Sequence, residues 1–166
     1  MGLFSFLKSA GAKLFHKAEE EAKKEAPSTP EGKVTDNLLN QQKAKLLVSI
    51  VEGLGLKVEG LQVEMQGETV VVSGQADSQA TREKVILALG NVEGVSAVDD
   101  RLAVAAEPQP EAQFYEVKKG DSLSKIAKAY YGNAMKYPVI FEANKPMLKD
   151  PDLIYPGQVL RIPPLD

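Results

Sequence analysis

The chain lacks several of the residues that most often build catalytic centres. Among its 166 residues there is no cysteine, no tryptophan and a single histidine, His16. The absence of cysteine excludes disulfides, thiolate catalysis and cysteine-ligated zinc. One histidine excludes a metal site built from several histidines and makes a Ser-His-Asp triad a poor hypothesis. The adjacent carboxylates Asp99 and Asp100 lie in a predicted strand, where neighbouring side chains point to opposite faces, so we expect no acid-base pair and no enzyme.

Long apolar runs and a strong charge of either sign are also missing. No window approaches the about eighteen apolar residues of a membrane span. The first residues show no positive flank followed by the apolar core of a signal peptide. A net charge of −3 gives no broad attraction to nucleic acid. We expect a cytoplasmic monomer with no nucleic-acid partner and no stable membrane insertion.

The start of the chain does carry apolar residues, from Leu3 to Leu7 and again at Leu14 and Phe15. Because the basic face of this segment is thin, we expect it to dock on the protein's own surface. An amphipathic membrane anchor is the alternative. Residues 17–33 are rich in Lys, Glu and Ala and end in a proline-bearing stretch, which predicts a charged helix end and a connector.

The middle of the chain predicts a two-layer unit of order α-β-β-α-β. Apolar residues recur at helical spacing from Asp36 to Leu54. Alternation from Lys57 to Met65 and a β-branched run from Thr69 to Ser73 indicate a hairpin. Ser78 can cap a second helix, and a last strand is expected from Val95 to about Val104. The two helices would cover one face of a three-stranded mixed sheet.

The last third of the chain predicts a β-α-α-β unit. A short strand around Tyr115 ends at Gly120, and Asp121 or Ser122 can cap a helix. A second short helix is expected around Ile140, and a turn at Pro156-Gly157 leads into the closing strand.

Both units resemble known domain families. Residues 34–105, with Gly90-Asn91-Val92-Glu93-Gly94-Val95 before the last strand, resemble a BON domain. Residues 114–166, with Gly120-Asp121-Ser122-Leu123 in the first turn, resemble a LysM domain. We predict an α+β protein in which a small α/β two-layer BON domain is joined to a β-α-α-β LysM domain by a linker, residues 106–113. Residues 1–33 precede them as a separate N-terminal segment.

The N-terminal segment, one BON domain and one LysM domain together resemble the family of small bacterial cytoplasmic potassium-binding proteins. The resemblance implies selective binding of K⁺, with Rb⁺ or Cs⁺ as substitutes. A large, singly charged ion is best held by several neutral backbone carbonyls, whereas Ca²⁺ and Mg²⁺ need carboxylates at defined spacing. No EF-hand spacing is present in the sequence.

Two irregular segments can supply free carbonyls, because helices and sheets use theirs in hydrogen bonds. They are residues 7–13, around Gly11, and residues 90–95, where glycines let the loop curl. The resemblance implies that six main-chain oxygens surround the ion, those of Leu7, Ala10, Ala12, Gly90, Val92 and Val95. The residues alone favour a simpler role, in which Gly90 and Gly94 only end a helix and start a strand.

Because the N-terminal segment would supply part of the site, ion binding is expected to fix it on the BON domain and to draw in the LysM domain. Such behaviour suits a K⁺ sensor or buffer. The alternative function is binding of peptidoglycan or another N-acetylglucosamine polymer. The sugar would lie in a groove of the LysM domain, between Gly120, Asp121, Ser122 and Leu123 on one side and Ile154, Tyr155 and Pro156 on the other.

Overall fold

The structure is a computed structural model that describes residues 2–11, 13–30, 32–106 and 111–165. The strands in these ranges are β1 (Gly2–Ser5), β2 (Val58–Gln66), β3 (Thr69–Ala76), β4 (Ala97–Val104), β5 (Gln113–Glu116) and β6 (Val159–Ile162). The α-helices are α1 (Phe15–Glu25), α2 (Asp36–Gly53), α3 (Gln79–Gly90), α4 (Leu123–Tyr131) and α5 (Tyr137–Ala143). Short 3-10 helices, Ala26–Ser28 and Ala134–Lys136, follow α1 and precede α5.

Three helices begin at a hydroxyl side chain. Thr35, Ser78 and Ser122 accept hydrogen bonds from the backbone N–H groups three residues further on, at the starts of α2, α3 and α4. Such a cap satisfies an N–H group that has no partner inside the helix, and it typically stabilises the helix by about 1 kcal/mol. The predicted caps at Ser78 and Ser122 are confirmed.

The larger sheet has four strands in the order β1-β4-β3-β2. β2 and β3 form the predicted antiparallel hairpin, and β3 runs parallel to β4 across the α3 connection. The predicted α-β-β-α-β order is therefore confirmed. The N-terminal segment adds a fourth strand, because β1 pairs antiparallel with β4 and places Phe4 opposite Val98. The segment docks on the protein itself, as expected, but it does so as part of the sheet.

Two apolar cores support the two units. Helices α2 and α3 cover one face of the larger sheet, and the core between them includes Leu47, Val51, Val70, Val72, Ile86, Leu89 and Val98. The second core lies between α4, α5 and the β5-β6 pair and includes Leu123, Ile126, Ile140, Leu148, Leu160 and Ile162. Val159, on β6, belongs to the first core, so the closing strand contributes to both.

The two adjacent aspartates have structural partners on opposite sides of β4. Asp100 is fully buried; it accepts a hydrogen bond from Arg82 Nε at 2.7 Å and another from Leu102 N at 3.0 Å. Asp99 pairs at 3.0 Å with Arg101, which is exposed. Asp100 thus ties α3 to β4, and the two carboxylates do not share a site.

Candidate functional site

The loop after β1 lies against the loop after α3. Phe6 N donates to Ser96 O at 2.8 Å, and Gly94 N donates to Lys8 O at 2.7 Å. These two bonds continue the pairing of β1 with β4 and bring residues 7–11 alongside residues 90–95. The segments that the sequence marked as sources of free carbonyls are therefore neighbours in space.

Glycine makes this close approach possible at two points. Gly11 has a φ of +102°, and a Cβ there would lie 2.5 Å from the Asn91 carbonyl oxygen. A Cβ on Gly90 would lie 2.1 Å from the ring of Phe6, which is buried. A Cβ at either position would force a shift, of the Asn91 backbone for Gly11 and of the Phe6 ring for Gly90. Both glycines therefore favour the contact between the N-terminal segment and the BON domain, and Gly11 does so against fixed backbone.

The predicted ligand residues occupy this junction. Leu7 O and Val92 O each accept one hydrogen bond in a tight turn, from Ala10 N at 3.0 Å and Val95 N at 3.1 Å. Each carbonyl has two lone pairs, so a second acceptor position remains. Within the described ranges, no protein donor is found for the carbonyl oxygens of Ala10, Gly90 or Val95. The sixth predicted ligand, Ala12, lies outside the described residues.

The LysM domain closes the junction from a third side. Gly157 has a φ of +88°, and a Cβ there would lie 2.6 Å from Ala10 Cβ and 2.9 Å from Leu7 Cδ2. The side chain of Asn91 donates to Val159 O at 2.8 Å and accepts from Val159 N at 2.9 Å. The N-terminal loop is thus held between the BON loop and the LysM domain.

A part-buried ion pair joins the domains at a second place. Arg161 Nε on β6 donates to Glu83 Oε1 on α3 at 2.8 Å, and the side chains are 12% and 5% exposed. The other carboxylate oxygen of Glu83 accepts from Ala112 N at 3.0 Å. Burial and the nearby Arg161 cation lower the pKa of Lys84, next along α3. Glu83 therefore holds both the closing strand and the residues just before β5.

A cleft of about 420 Å³ runs along the same interface. It is lined by Leu87 and Asn91 from the BON domain and by Leu153, Tyr155 and Gln158 from the LysM domain. Burial raises the pKa of Tyr155. One wall of the predicted glycan groove, around Tyr155, therefore faces the BON domain.

The other wall of that groove is held by bonds within the LysM domain. Asp121 Oδ2 accepts from the Tyr115 hydroxyl at 2.5 Å and from Lys118 N at 2.8 Å. The first bond raises the pKa of Tyr115 to about 12 and, together with the second, lowers the pKa of Asp121. Ser122 caps α4 and Leu123 is buried. These groups primarily shape the first turn of the domain.

The described ranges contain neither a cluster of metal-ligating side chains nor a helix that could cross a membrane. Within them, no three His, Asp or Glu side chains lie close enough together to hold a metal ion. No helix in these ranges is both long enough and apolar enough to cross a membrane. The junction of loops 7–11 and 90–95 thus offers neutral backbone oxygens where a divalent cation would need carboxylates.

Sequence reasoning missed Asn91, Glu83, Arg161 and Gly157 as junction residues. Asn91 carried a weak signal, because it stands between two predicted ligand residues, Gly90 and Val92. The other three carried none, since their partners lie far away along the chain.

Comparison with known proteins supports both domain resemblances. The LysM domain model matches residues 115–163, and the BON domain model matches residues 39–106. The chain is 42% identical over 169 aligned positions, 98% of this chain and 99% of the relative, to the Potassium binding protein Kbp of Escherichia coli O6:H1. It is 37% identical over 131 positions to an uncharacterized protein of Deinococcus radiodurans, covering 72% of this chain and 51% of that protein.

Proposed function

The chain belongs to the family of the Potassium binding protein Kbp, and from that premise we propose that it binds K⁺ selectively through backbone carbonyls. The ligands are the main-chain oxygens of Leu7, Ala10, Ala12, Gly90, Val92 and Val95. Rb⁺ and Cs⁺, which have the same charge and a similar size, are accepted in its place. The protein acts in the cytoplasm as a K⁺ sensor or buffer.

One observation carries this proposal: two carbonyl-bearing loops from distant parts of the chain are in direct contact. Gly94 N bonds to Lys8 O at 2.7 Å, and Gly11 lies so close to Asn91 that no Cβ fits. Carbonyl oxygens of Ala10, Gly90 and Val95 have no donor among the described residues. Neutral oxygens of this kind can replace the hydration shell of a monovalent cation.

The same contacts support an ion-linked ordering of the domains. Leu7 and Ala10 lie between the BON loop and Gly157 of the LysM domain. An ion that engages carbonyls on both loops strengthens their contact, and this contact in turn supports the surface on which the LysM domain rests. A ligand shifts an equilibrium towards the state that it binds more tightly. An ion whose ligands come from both loops binds most tightly when the loops are in contact, so it favours the arrangement in which the LysM domain is docked.

Isothermal titration calorimetry tests the proposal directly. KCl, RbCl, CsCl, NaCl and MgCl₂ are titrated separately into the full chain, with ionic strength held constant by a bulky organic cation. Saturable heat with K⁺, Rb⁺ and Cs⁺, without a matching signal from Na⁺ or Mg²⁺, is the expected result. No saturable heat with K⁺, or the same response to every salt, would reject the proposal.

Glycan binding by the LysM domain is the second candidate, favoured by the family match over residues 115–163. The groove has one wall on the domain junction, at Tyr155, so a glycan would have to compete with the BON domain for that surface. Titration with chitin oligomers, with and without K⁺, separates the two functions. Saturable oligomer binding that K⁺ does not alter would favour the glycan role.

A further inference from the structure

The outer edge of β6 is paired by two asparagine side chains, one from each domain. Asn144 of the LysM domain donates to Arg161 O at 2.9 Å and accepts from Arg161 N at 2.8 Å. Asn91 of the BON domain makes the same pair of bonds to Val159, at 2.8 and 2.9 Å. The backbone N–H and C=O groups of residues 159 and 161 point away from β5. Each asparagine side-chain amide therefore bonds to β6 where a neighbouring strand would otherwise pair.

The backbone of Asn91 is part of the proposed ion loop. Asn91 N donates to Leu87 O at 3.0 Å, in the direction of the α3 axis. Because the C=O of a trans peptide points opposite to its N–H, the Gly90 carbonyl points away from the end of the helix. Gly11 lies against the next peptide, that of Asn91 and Val92. Loop 90–95 is thus fixed at residue 91 by the helix, the N-terminal loop and the LysM domain.

The contact between Glu83 and Arg161 holds the same two domains without touching the ion loop. Glu83 lies on α3, more than one helical turn before Gly90, and its partners are Arg161, Ala112 and Gln79. None of these partners belongs to loops 7–11 or 90–95, so we expect a change at Glu83 to reach the ion loop through docking of the LysM domain. This separation makes Glu83 a matched comparison for Asn91.

We propose that Asn91 is a positioning residue that couples the K⁺ loop to the LysM domain. Its side-chain amide holds β6. Its first peptide bond contains the Gly90 carbonyl and its second leads directly into Val92, so the positions of both predicted ligand residues follow that of Asn91. Docking of the LysM domain therefore raises K⁺ affinity, and K⁺ raises the affinity for docking by the same factor, as thermodynamic linkage requires. The inference rests on the proposed K⁺ function and adds the residue that transmits the effect.

The first test replaces Asn91 by a side chain of similar shape that cannot make hydrogen bonds. Asn91→Leu removes both bonds to Val159 and introduces no charge near the ion. Two net hydrogen bonds correspond to a loss of K⁺ affinity of up to about 30-fold. Asn91→Ala serves as the second variant, and amide spectra of the β2-β3 hairpin and of α4 confirm that both variants fold. Unchanged K⁺ affinity in a folded variant would overturn the proposal.

A double-mutant cycle distinguishes a positioning role from a general loosening of the interface. Glu83→Gln in the natural sequence should weaken K⁺ binding severalfold, because it leaves the part-buried Arg161 without its charge partner. In the Asn91→Leu background the same change should alter K⁺ affinity by less than about twofold. In that variant, docking of the LysM domain no longer acts on loop 90–95 through the Asn91 side chain. Equal effects in both backgrounds would place the coupling in the Gly157 contact with Leu7 and Ala10, and would overturn the role of Asn91.

The outcomes also separate this inference from the proposed function. If the natural sequence gives no saturable K⁺ binding, the function fails and the coupling fails with it. If the natural sequence binds K⁺ and Asn91→Leu binds it equally well, only the coupling fails. Amide shifts of Val159 provide an independent readout: K⁺ should move them in the natural sequence and leave them unmoved in Asn91→Leu.

Discussion

Two glycine-bearing loops, one at the domain junction and one within the LysM domain, use the same residue type for different purposes. Gly11 and Gly132 both have positive φ values, +102° and +72°. A Cβ on Gly11 would lie 2.5 Å from the Asn91 carbonyl oxygen, whereas a Cβ on Gly132 would meet nothing within 4 Å. Gly132 ends α4 in a left-handed conformation that its own helix requires. Gly11 is required by its contact with Asn91, so a substitution there should disturb the contact between the two loops.

The largest effect is expected from Gly11→Ala. Alanine at this position must adopt a positive φ, which costs about 1–2 kcal/mol. Its Cβ also collides with the Asn91 carbonyl oxygen, which costs about 1–3 kcal/mol. If the loops must touch to hold the ion, K⁺ affinity should fall on the order of 1,000-fold. Calorimetric titration of the variant with KCl measures the loss.

Gly132→Ala is the matched control for this experiment. It carries the backbone strain without the collision, so it should lower the stability of the LysM domain by about 1 kcal/mol and leave K⁺ affinity within about twofold. Equal losses of K⁺ affinity in the two variants would contradict the distinction between the loops.

Asn144→Ala should produce the next largest effect, on stability. The Asn144 amide is buried and makes three hydrogen bonds, to Ile140 O, Arg161 O and Arg161 N. At about 1 kcal/mol each, their loss should lower the free energy of unfolding of the LysM domain by about 3 kcal/mol. Urea denaturation followed by the Tyr signal of that domain measures it. Asn91→Leu, which removes two bonds between the domains, should lower that free energy by less, and an equal or larger drop there would contradict the contrast between the two asparagines.

Gly90→Ala should have a moderate effect, because the atoms in the way belong to a side chain. Its Cβ would occupy the position of the Phe6 ring, so Phe6 must move out of the core. Overpacking of this kind costs about 1–3 kcal/mol, partly offset by the higher helix propensity of alanine, about 1 kcal/mol. We expect about 1 kcal/mol lower stability of the β1-β4 pairing, measured by hydrogen exchange of the Phe4 and Phe6 amides. Normal exchange protection of these amides would show that the ring can shift within the core.

The smallest effect is a pH dependence confined to the LysM domain. The bond between Tyr115 and Asp121 lowers the pKa of Asp121 in the folded state, so its contribution is present above the ordinary carboxyl pKa and is lost as the pH falls through the lowered value. The same bond raises the pKa of Tyr115 from 10.0 to about 12, so that contribution is present below pH 10 and is lost as the pH rises towards 12.

Thermal unfolding between pH 3 and pH 12 tests this dependence. Tyr115→Phe should reduce both the alkaline and the acid loss of stability; part of the alkaline loss should remain, because burial also raises the pKa of Tyr131 and Tyr155. K⁺ affinity should stay constant across the range in which the protein is folded, because carbonyl ligands do not titrate. A K⁺ affinity that followed the titration of Asp121 would argue for a carboxylate near the ion.

Local signals in the sequence were sufficient for most of the fold. Ser78 and Ser122 mark helix starts because a cap acts on N–H groups only two or three residues away. The hairpin of β2 and β3 depends on neighbouring residues in the same way. β1 could not be predicted from its own residues, because Gly2–Ser5 becomes a strand only where β4 offers an unpaired edge. The junction contacts of Asn91, Glu83 and Gly157 depend likewise on how the two domains meet.

The site itself could be predicted only as two candidate loops. Backbone ligands place no demand on side-chain type, so the sequence marks them only indirectly, through glycines such as Gly11 and Gly90. The choice of six oxygens came from resemblance to a family, and it stays a prediction, as do the domain limits at residues 34–105 and 114–166. Gly11 was noted for its loop, but its contact with Asn91 required the three-dimensional structure.

The central claim is that carbonyl oxygens of both loops hold one K⁺ ion. The most direct test is a KCl titration followed by the ¹³C carbonyl chemical shifts of the full chain, with NaCl as the control. The account predicts saturable shifts with a common Kd at Leu7, Ala10, Ala12, Gly90, Val92 and Val95, absent with NaCl. Shifts confined to one loop, or shifts that NaCl reproduces, would contradict it.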